Sequence, residues 1–134
     1  MGSVIREIAI DAPAEAVWAA VGDFAAGPLR TTPGLFTDCR LVEPGVRALT
    51  FADGTVVRER LVGRDDDTRR IVWAWLGDDV AHDNTSMQVF ADGPDRSRLL
   101  WIHDTLPDEL TDWLGAAMDA AAPAFRTSLA APEG

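Results

Sequence analysis

The beginning of the chain constrains its fold most, because a strand-like run there turns abruptly into an amphipathic helix. Residues 3–10 alternate with a period of two, which predicts a β-strand with one wetter face. Asp11 is the expected N-cap of a helix over residues 13–22, with Pro13 near its first turn. A second helical pattern begins near Pro107, so two helices enclose the middle of the chain.

That middle region has the pattern of consecutive β-hairpins. Turn signals recur at residues 52–54, 64–68 and 91–94, each between apolar, β-branched or aromatic runs. The predicted strands cover residues 39–43, 46–52, 55–63, 69–76, 84–91 and 97–105. Consecutive hairpins predict an antiparallel meander, so we expect one α+β domain over residues 1–134. Its curved sheet of about seven strands would wrap a long C-terminal helix, with one or two short helices after the first strand.

Prolines and glycines interrupt two further segments. Residues 22–38 contain two Gly/Pro pairs, which predict a loop with one short turn and make this segment the candidate for a mobile lid. Pro123 falls inside the C-terminal helical pattern, where it removes a backbone hydrogen bond. We expect the helix to bend or end near Ala121 or Ala122, just before this proline.

The charge balance excludes several classes of partner. The chain carries 22 acidic and 12 basic residues, a formal net charge of −10, with no basic run that could follow a phosphate backbone. We therefore expect no nucleic-acid partner. No apolar stretch reaches the ~20 residues of a membrane span, and the N-terminus does not have the pattern of a signal peptide, so a cytoplasmic location is expected. The sequence leaves the oligomeric state, monomer or homodimer, open.

Missing residue types limit the available chemistry. Every basic residue other than the two histidines is arginine, so no lysine can form a Schiff base with a substrate or with pyridoxal phosphate. The absence of tyrosine excludes a phenolic acid. The single cysteine, Cys39, has no neighbouring group to lower its pKa and is expected to be a small strand or core residue. We expect no cofactor.

One candidate for acid–base chemistry is Glu59. Strand alternation places it on the same face as Val57 and Leu61, whereas Arg58 and Arg60 point the other way. Desolvation among apolar neighbours would favour the protonated carboxyl and suit general acid–base work. The alternative is a glutamate paired with an arginine at the rim of the sheet, and the pattern leaves both open.

The register of the last two strands brings a histidine to the same interior face. Centring their turn on Pro94 places Met87 opposite Trp101 and Thr85 opposite His103. These four side chains then share the concave face of the sheet. A shift of one residue would turn His103 outward.

A histidine in this position could act as a general base. Asp83 or Glu59 would orient the ring of His103, and a neutral imidazole beside a carboxylate is a competent base near neutral pH. The alternative is a hydrogen-bonded core histidine without a catalytic role. The dipeptides His82-Asp83 and His103-Asp104 do not predict a metal site, because neighbouring residues on a strand point to opposite faces.

The tryptophans supply flat apolar surfaces that could line a pocket for a planar ligand, although core packing will use some of them. Arg47 is the nearest candidate for anchoring a carboxylate or enolate oxygen. The candidate ligand-binding residues are Trp73, Trp75, Thr85, Met87, Trp101, Trp113 and Arg47.

With its elements in this order, the chain resembles the SRPBCC or START-like helix-grip superfamily, and within it the polyketide cyclase/dehydrase and lipid-transport branch. The resemblance rests on residues 8–18 (IAIDAPAEAVW), 21–24 (VGDF), 53–54 (DG), 57–61 (VRERL) and 97–101 (SRLLW). It covers nearly the whole chain and implies a cavity between the sheet and the C-terminal helix. Family members include cyclases, dehydratases, lipid carriers and ligand sensors.

The resemblance implies a cofactor-independent cyclase or dehydratase that holds an apolar polyketide-type molecule in its cavity. Glu59 and His103 would move the protons for ring closure or loss of water. The competing hypothesis is a non-catalytic binder or carrier of a lipid or hydrophobic metabolite. A third is a sensor or interaction module whose cavity has filled in.

Overall fold

In the computed structural model, which describes residues 2–78 and 80–132, seven strands and three helices follow the predicted order. The helices are α1 (Ala14–Val21), α2 (Gly27–Thr31) and α3 (Leu110–Leu129). The strands are β1 (Ser3–Ile10), β2 (Phe36–Glu43), β3 (Val46–Phe51), β4 (Val56–Asp65), β5 (Arg70–Leu76), β6 (His82–Ala91) and β7 (Ser97–Leu106).

All seven strands form one antiparallel sheet with the order β1-β7-β6-β5-β4-β3-β2. Strands β2 to β7 follow one another through hairpins and form the meander. The last of them, β7, pairs with β1 and closes the sheet order. Helix α3 packs against β1 and β7, while α1 packs against β6, β7 and α3. A curved sheet around a long C-terminal helix is the helix-grip fold, so the predicted fold class is confirmed.

The core lies between the concave face of the sheet and the helices, as the alternation in β1 requires. Ile8 and Ile10 point inward and are buried, whereas Ile5 on the opposite face is 57% exposed. The inward residues of β5, β6 and β7 join them together with Val17 of α1 and Phe125 of α3. Burial of this apolar surface is the main favourable contribution to folding.

Arg6 of β1 contacts α3 in two places, through an ion pair with Asp119 and a close approach to Gly115. The Nε of Arg6 donates to Oδ1 of Asp119 over 2.7 Å, and this hydrogen bond lowers the pKa of the Asp119 carboxyl. Arg6 passes beneath α3 at Gly115, where an added Cβ would lie 2.9 Å from its Nη2. A glycine at this position therefore lets the arginine reach its partner.

The last helix does not end before Pro123, one of the two expected outcomes, since α3 continues through Pro123 to Leu129. The proline leaves the carbonyl of Asp119 without its helical hydrogen bond. Both residues are exposed, so water can solvate that carbonyl at little cost. Ala121 and Phe125, on either side of the proline, are buried in the core and hold the helix in place.

Two local predictions near the start of the chain also need correction. Asp11 does not cap α1, because the N-cap position is Pro13 and no side chain bonds there. Asp11 instead lies 3.2 Å from Arg96 in the β6–β7 turn. The segment over residues 22–38 contains the short helix α2, in agreement with the short turn predicted there and with the short helices expected after the first strand. Strand β2 begins three residues earlier than expected, at Phe36.

The two isoleucines of β1 give a matched test of where the core lies. We expect Ile8→Ala to lower the free energy of unfolding by about 2–5 kcal/mol, because Ile8 is 2% exposed and its removal leaves a cavity. Ile5→Ala, on the exposed face of the same strand, should change it by about 0.5 kcal/mol or less. Urea unfolding followed by tryptophan fluorescence measures both, and equal losses would contradict this core.

Candidate functional site

A cavity of about 580 Å³ lies between the concave face of the sheet, the α2 segment and α3. This volume is within the range of small-molecule sites, roughly 300–1,000 Å³. Apolar side chains make most of its wall, among them the four tryptophans Trp73, Trp75, Trp101 and Trp113. The hypothesis of a filled-in cavity is therefore wrong.

The first polar group in the wall is a network of three residues on β6 and β7. Thr85 and His103 are directly opposed across the two strands, as predicted, and Met87 is opposed to Trp101. Nδ1 of His103 lies 2.9 Å from Oγ1 of Thr85 and 3.3 Å from Oδ2 of Asp83. The Thr85 hydroxyl donates to Oδ1 of Asp83 over 3.1 Å.

These contacts assign the protons of the network. The Thr85 hydroxyl has one hydrogen, which it gives to Asp83, so it can only accept from His103. Nδ1 of His103 is then the protonated ring nitrogen, and Nε2 carries the lone pair. In residues 2–78 and 80–132 no protein group bonds this Nε2, while His103 lines the cavity. His103 is thus an ionisable side chain in a mostly apolar cavity wall.

The second polar group pairs Arg47 of β3 with Glu59 of β4, which are opposed across the two strands. Nε and Nη2 of Arg47 lie 2.9 Å and 2.8 Å from Oε1 of Glu59. The indole Nε1 of Trp73 donates to the other oxygen, Oε2, over 3.1 Å. Glu59 is thus paired with an arginine, as one of the two hypotheses held, but inside the cavity wall and not at the rim.

Arg47 has further partners and is almost completely buried, with 4% of its side chain exposed. Its Nη1 donates to the carbonyl of Phe24 over 2.9 Å. Its guanidinium carbon lies 4.4 Å from the centre of the Phe24 ring and 4.8 Å from that of Trp73. A buried charge needs such pairing to offset the loss of hydration. The arginine consequently serves the fold as well as the cavity.

The remaining candidates occupy three different depths. Met87, Trp75 and Trp101 line the cavity wall. Thr85 is 1% exposed and lies behind His103, outside the cavity lining, so it contacts the histidine and not the cavity contents. Trp113 is 59% exposed and lies on α3, where the wall meets solvent.

The sequence did not indicate the part of the wall that comes from residues 27–36. Gly27, Thr31 and Phe36 line the cavity, and the Phe36 ring lies 4.8 Å from that of Phe51. Two phenylalanines flanking a hairpin at matching distances were the available signal, since they are opposed in the β2–β3 register. The hydroxyl of Ser128 on α3 donates to the carbonyl of Thr31 over 2.6 Å, which ties this segment to the last helix.

Cys39 takes no part in the cavity wall. Its Sγ lies 3.1 Å from the carbonyl of Ala25, and burial raises the pKa of the thiol. A raised pKa keeps the sulfur protonated at neutral pH, which is unfavourable for a nucleophile.

Curvature of one sheet around a C-terminal helix, with an apolar cavity between them, defines the START-like helix-grip class. The chain belongs to the family described as polyketide cyclase/dehydrase and lipid transport, whose model matches residues 1–131. No curated protein matches the sequence. In the described residues, no helix is long and apolar enough to cross a membrane.

Solved structures with the same fold come from several bacteria. The protein XoxI from Bacillus cereus superposes with a TM-score of 0.86 at 20% identity, covering 96% of each chain. A START superfamily protein from Mycobacterium smegmatis gives 0.78 at 19% identity over 96% of this chain and 97% of that one. The ZhuI aromatase/cyclase from Streptomyces sp. R1128 gives 0.73 at 20% identity, over 95% and 90%. At such identities the likeness establishes the fold alone.

The proton assignment can be tested directly, because the chain has only two histidines. With both imidazoles neutral, ¹H–¹⁵N correlation spectra of the rings should show His103 as the Nδ1–H tautomer. Thr85→Val and Asp83→Asn should each raise its Nε2–H population, since they remove acceptors of the Nδ1 proton.

Two controls make this measurement specific. Thr85→Ser keeps the hydroxyl and should preserve the Nδ1–H form. His82 is exposed and its ring should give the same spectrum in every variant. An Nε2–H tautomer of His103 in the unmodified protein would contradict the assignment.

Proposed function

We propose that this protein is a cofactor-independent cyclase or dehydratase that binds an apolar, oxygenated molecule of the polyketide type. The observation that carries the proposal is the network of Asp83, Thr85 and His103, which presents the unpartnered Nε2 of His103 to an apolar cavity. Membership of the polyketide cyclase/dehydrase family and the shared fold of an aromatase/cyclase support it.

His103 would act as the proton carrier in this reaction. Its Nε2 removes a proton from a carbon between two ketones, and the resulting enolate carbon bonds to a second ketone of the same chain. The alkoxide that forms takes a proton from the imidazolium, which returns His103 to its starting state. Loss of a neighbouring carbon proton and of the hydroxyl then releases one water, so the sequence needs no oxidant or co-reactant.

Asp83 would hold the ring and stabilise its charged form during each transfer. Its side chain is 1% exposed, so its interaction with His103 is little weakened by solvent. Thr85 keeps both groups in register. This division of labour is the one expected of a base, its orienting carboxylate and a fixed ring tautomer.

Glu59 has a different place in the proposal from the one expected from the sequence. Both of its oxygens accept hydrogen bonds from protein donors, Oε1 from Arg47 and Oε2 from Trp73. A carboxylate whose two oxygens both accept hydrogen bonds from protein donors is poorly placed to exchange a proton with a ligand. We assign Glu59 to the cavity wall, where it fixes Trp73 and Arg47, and leave proton transfer to His103.

The cavity itself would contribute by holding a flexible substrate in a folded conformation. Tryptophan faces on β5, β7 and α3 offer flat contact surfaces on more than one side of the cavity. Fixing two reacting carbons near each other converts an improbable collision into a frequent one.

Substitution of His103 tests the proposal. With a synthetic aryl poly-β-ketone as substrate, we expect His103→Gln and Asp83→Asn each to slow formation of the cyclised or dehydrated product by about 10²–10⁴-fold. The product of ring closure, an isomer of the substrate, is followed by its separate chromatographic retention, and dehydration is followed by loss of one water in the mass spectrum. His82→Gln, at an exposed site, should leave the rate unchanged.

Folding must be intact in these variants, which circular dichroism and the urea midpoint verify. Glu59→Gln should reduce the rate less than His103→Gln, because Glu59 is assigned to the wall. Full activity of both His103→Gln and Asp83→Asn would overturn the catalytic role of the network.

The alternative function is a carrier of a lipid or hydrophobic metabolite. It is favoured by the predominantly apolar cavity wall and by the lipid-transport members of the family. A carrier would quench tryptophan fluorescence on binding and return every bound compound unchanged, with His103→Gln binding as well as the unmodified protein.

A further inference from the structure

The cavity contains an excess of negative charge that bears on the kind of ligand it accepts. Of the described residues that line it, one is an arginine, Arg47, and three are carboxylates, Asp53, Glu59 and Asp83. Hydrogen bonds from the backbone and side chain of Thr55 lower the pKa of Asp53, so this carboxylate, which borders the cavity but is exposed to solvent, is ionised at neutral pH. The whole chain adds to this field with a formal net charge of −10.

Among the described residues of the wall, the one arginine already has its charge matched by a carboxylate. Nε and Nη2 of Arg47 are bonded to Glu59, and Nη1 is bonded to the Phe24 carbonyl. Aromatic rings of Phe24 and Trp73 lie against the guanidinium carbon. These contacts use three of the five N–H donors of Arg47, so a carboxylate ligand could bond only the remaining two and would compete with Glu59 for the positive charge.

We propose that the cavity selects against acidic ligands and accepts uncharged or amine-bearing aromatic molecules. The inference rests on the proposed function only in that the cavity binds a small molecule, and it narrows the class of that molecule. An ionised acid would lose hydration and meet carboxylates without gaining a cation. A protonated amine would meet those carboxylates and the faces of the tryptophans, both of which attract a positive charge. A neutral hydroxyl would lose little.

Three probes with one aromatic skeleton separate charge from shape. Naphthalene-2-methanol is neutral, 2-naphthylmethylamine is cationic and 2-naphthoate is anionic at pH 7. Isothermal titration calorimetry with the unmodified protein should give the carboxylate a Kd at least about tenfold higher than that of the alcohol. The amine should bind at least as tightly as the alcohol.

A matched pair of variants tests the part played by Arg47. Glu59→Gln removes its counter-charge and should lower the Kd of 2-naphthoate by about tenfold, with the Kd of the alcohol changed by less than about threefold. Glu43→Gln removes the same charge from an exposed pair with Arg58, outside the cavity, and should leave the order of the three affinities unchanged.

The outcomes separate this inference from the proposed function. Equal Kd values for the alcohol and the carboxylate in the unmodified protein would overturn charge selection, whatever the result with His103→Gln. Improved carboxylate binding in Glu43→Gln as well as in Glu59→Gln would also overturn it, because the effect would then be one of overall charge. Failure of all three probes to bind would overturn this inference, which requires an aromatic molecule in the cavity, while turnover of the poly-β-ketone would still decide the proposed function.

Discussion

A buried guanidinium has to be paired, and in this protein that requirement organises the interior. Arg47 lies on the concave face of the sheet and is held by Glu59 on the neighbouring strand and by the carbonyl of Phe24. One side chain therefore joins β3, β4 and the segment that leads from α1 into α2. Because all of these elements border the cavity, the pairing that offsets the cost of burial also determines the shape of the wall.

Two sets of polar side chains in the cavity wall differ in how fully their groups are bonded, and the proposed chemistry depends on that difference. In the first set every oxygen of Glu59 and every nitrogen of Arg47 has a protein partner. In the second, Asp83 and Thr85 are used up in holding Nδ1 of His103, which leaves Nε2 for the cavity. The pair of Arg47 and Glu59, whose charges match each other, stabilises the structure. The network around His103, with one ring nitrogen left for the cavity, is the set that could exchange a proton.

Sequence reasoning predicted the sheet, the register of β6 and β7 and the inward position of His103, since alternation and turn position are local signals. It could not predict that Arg47 is satisfied by Glu59, because that depends on side chains meeting across two strands. A short helix after the first strand was predicted, whereas its exact place at Gly27–Thr31 and the continuation of α3 past Pro123 depend on contacts that the sequence does not show. Tertiary packing holds both in place, through Ser128 on one side and Phe125 on the other.

Helix α3 forms one wall of the cavity, and the backbone hydrogen bond missing at Pro123 divides it into an N-terminal and a C-terminal part. The N-terminal part carries Leu114 and Met118 and is held to β1 by the hydrogen bond from Arg6 to Asp119. The C-terminal part carries Phe125 and is held to α2 by the hydrogen bond from Ser128 to the carbonyl of Thr31. The carbonyl that lacks its helical hydrogen bond belongs to Asp119, whose side chain is bonded to Arg6. Separate side-chain contacts therefore hold α3 to the rest of the fold on each side of the missing hydrogen bond.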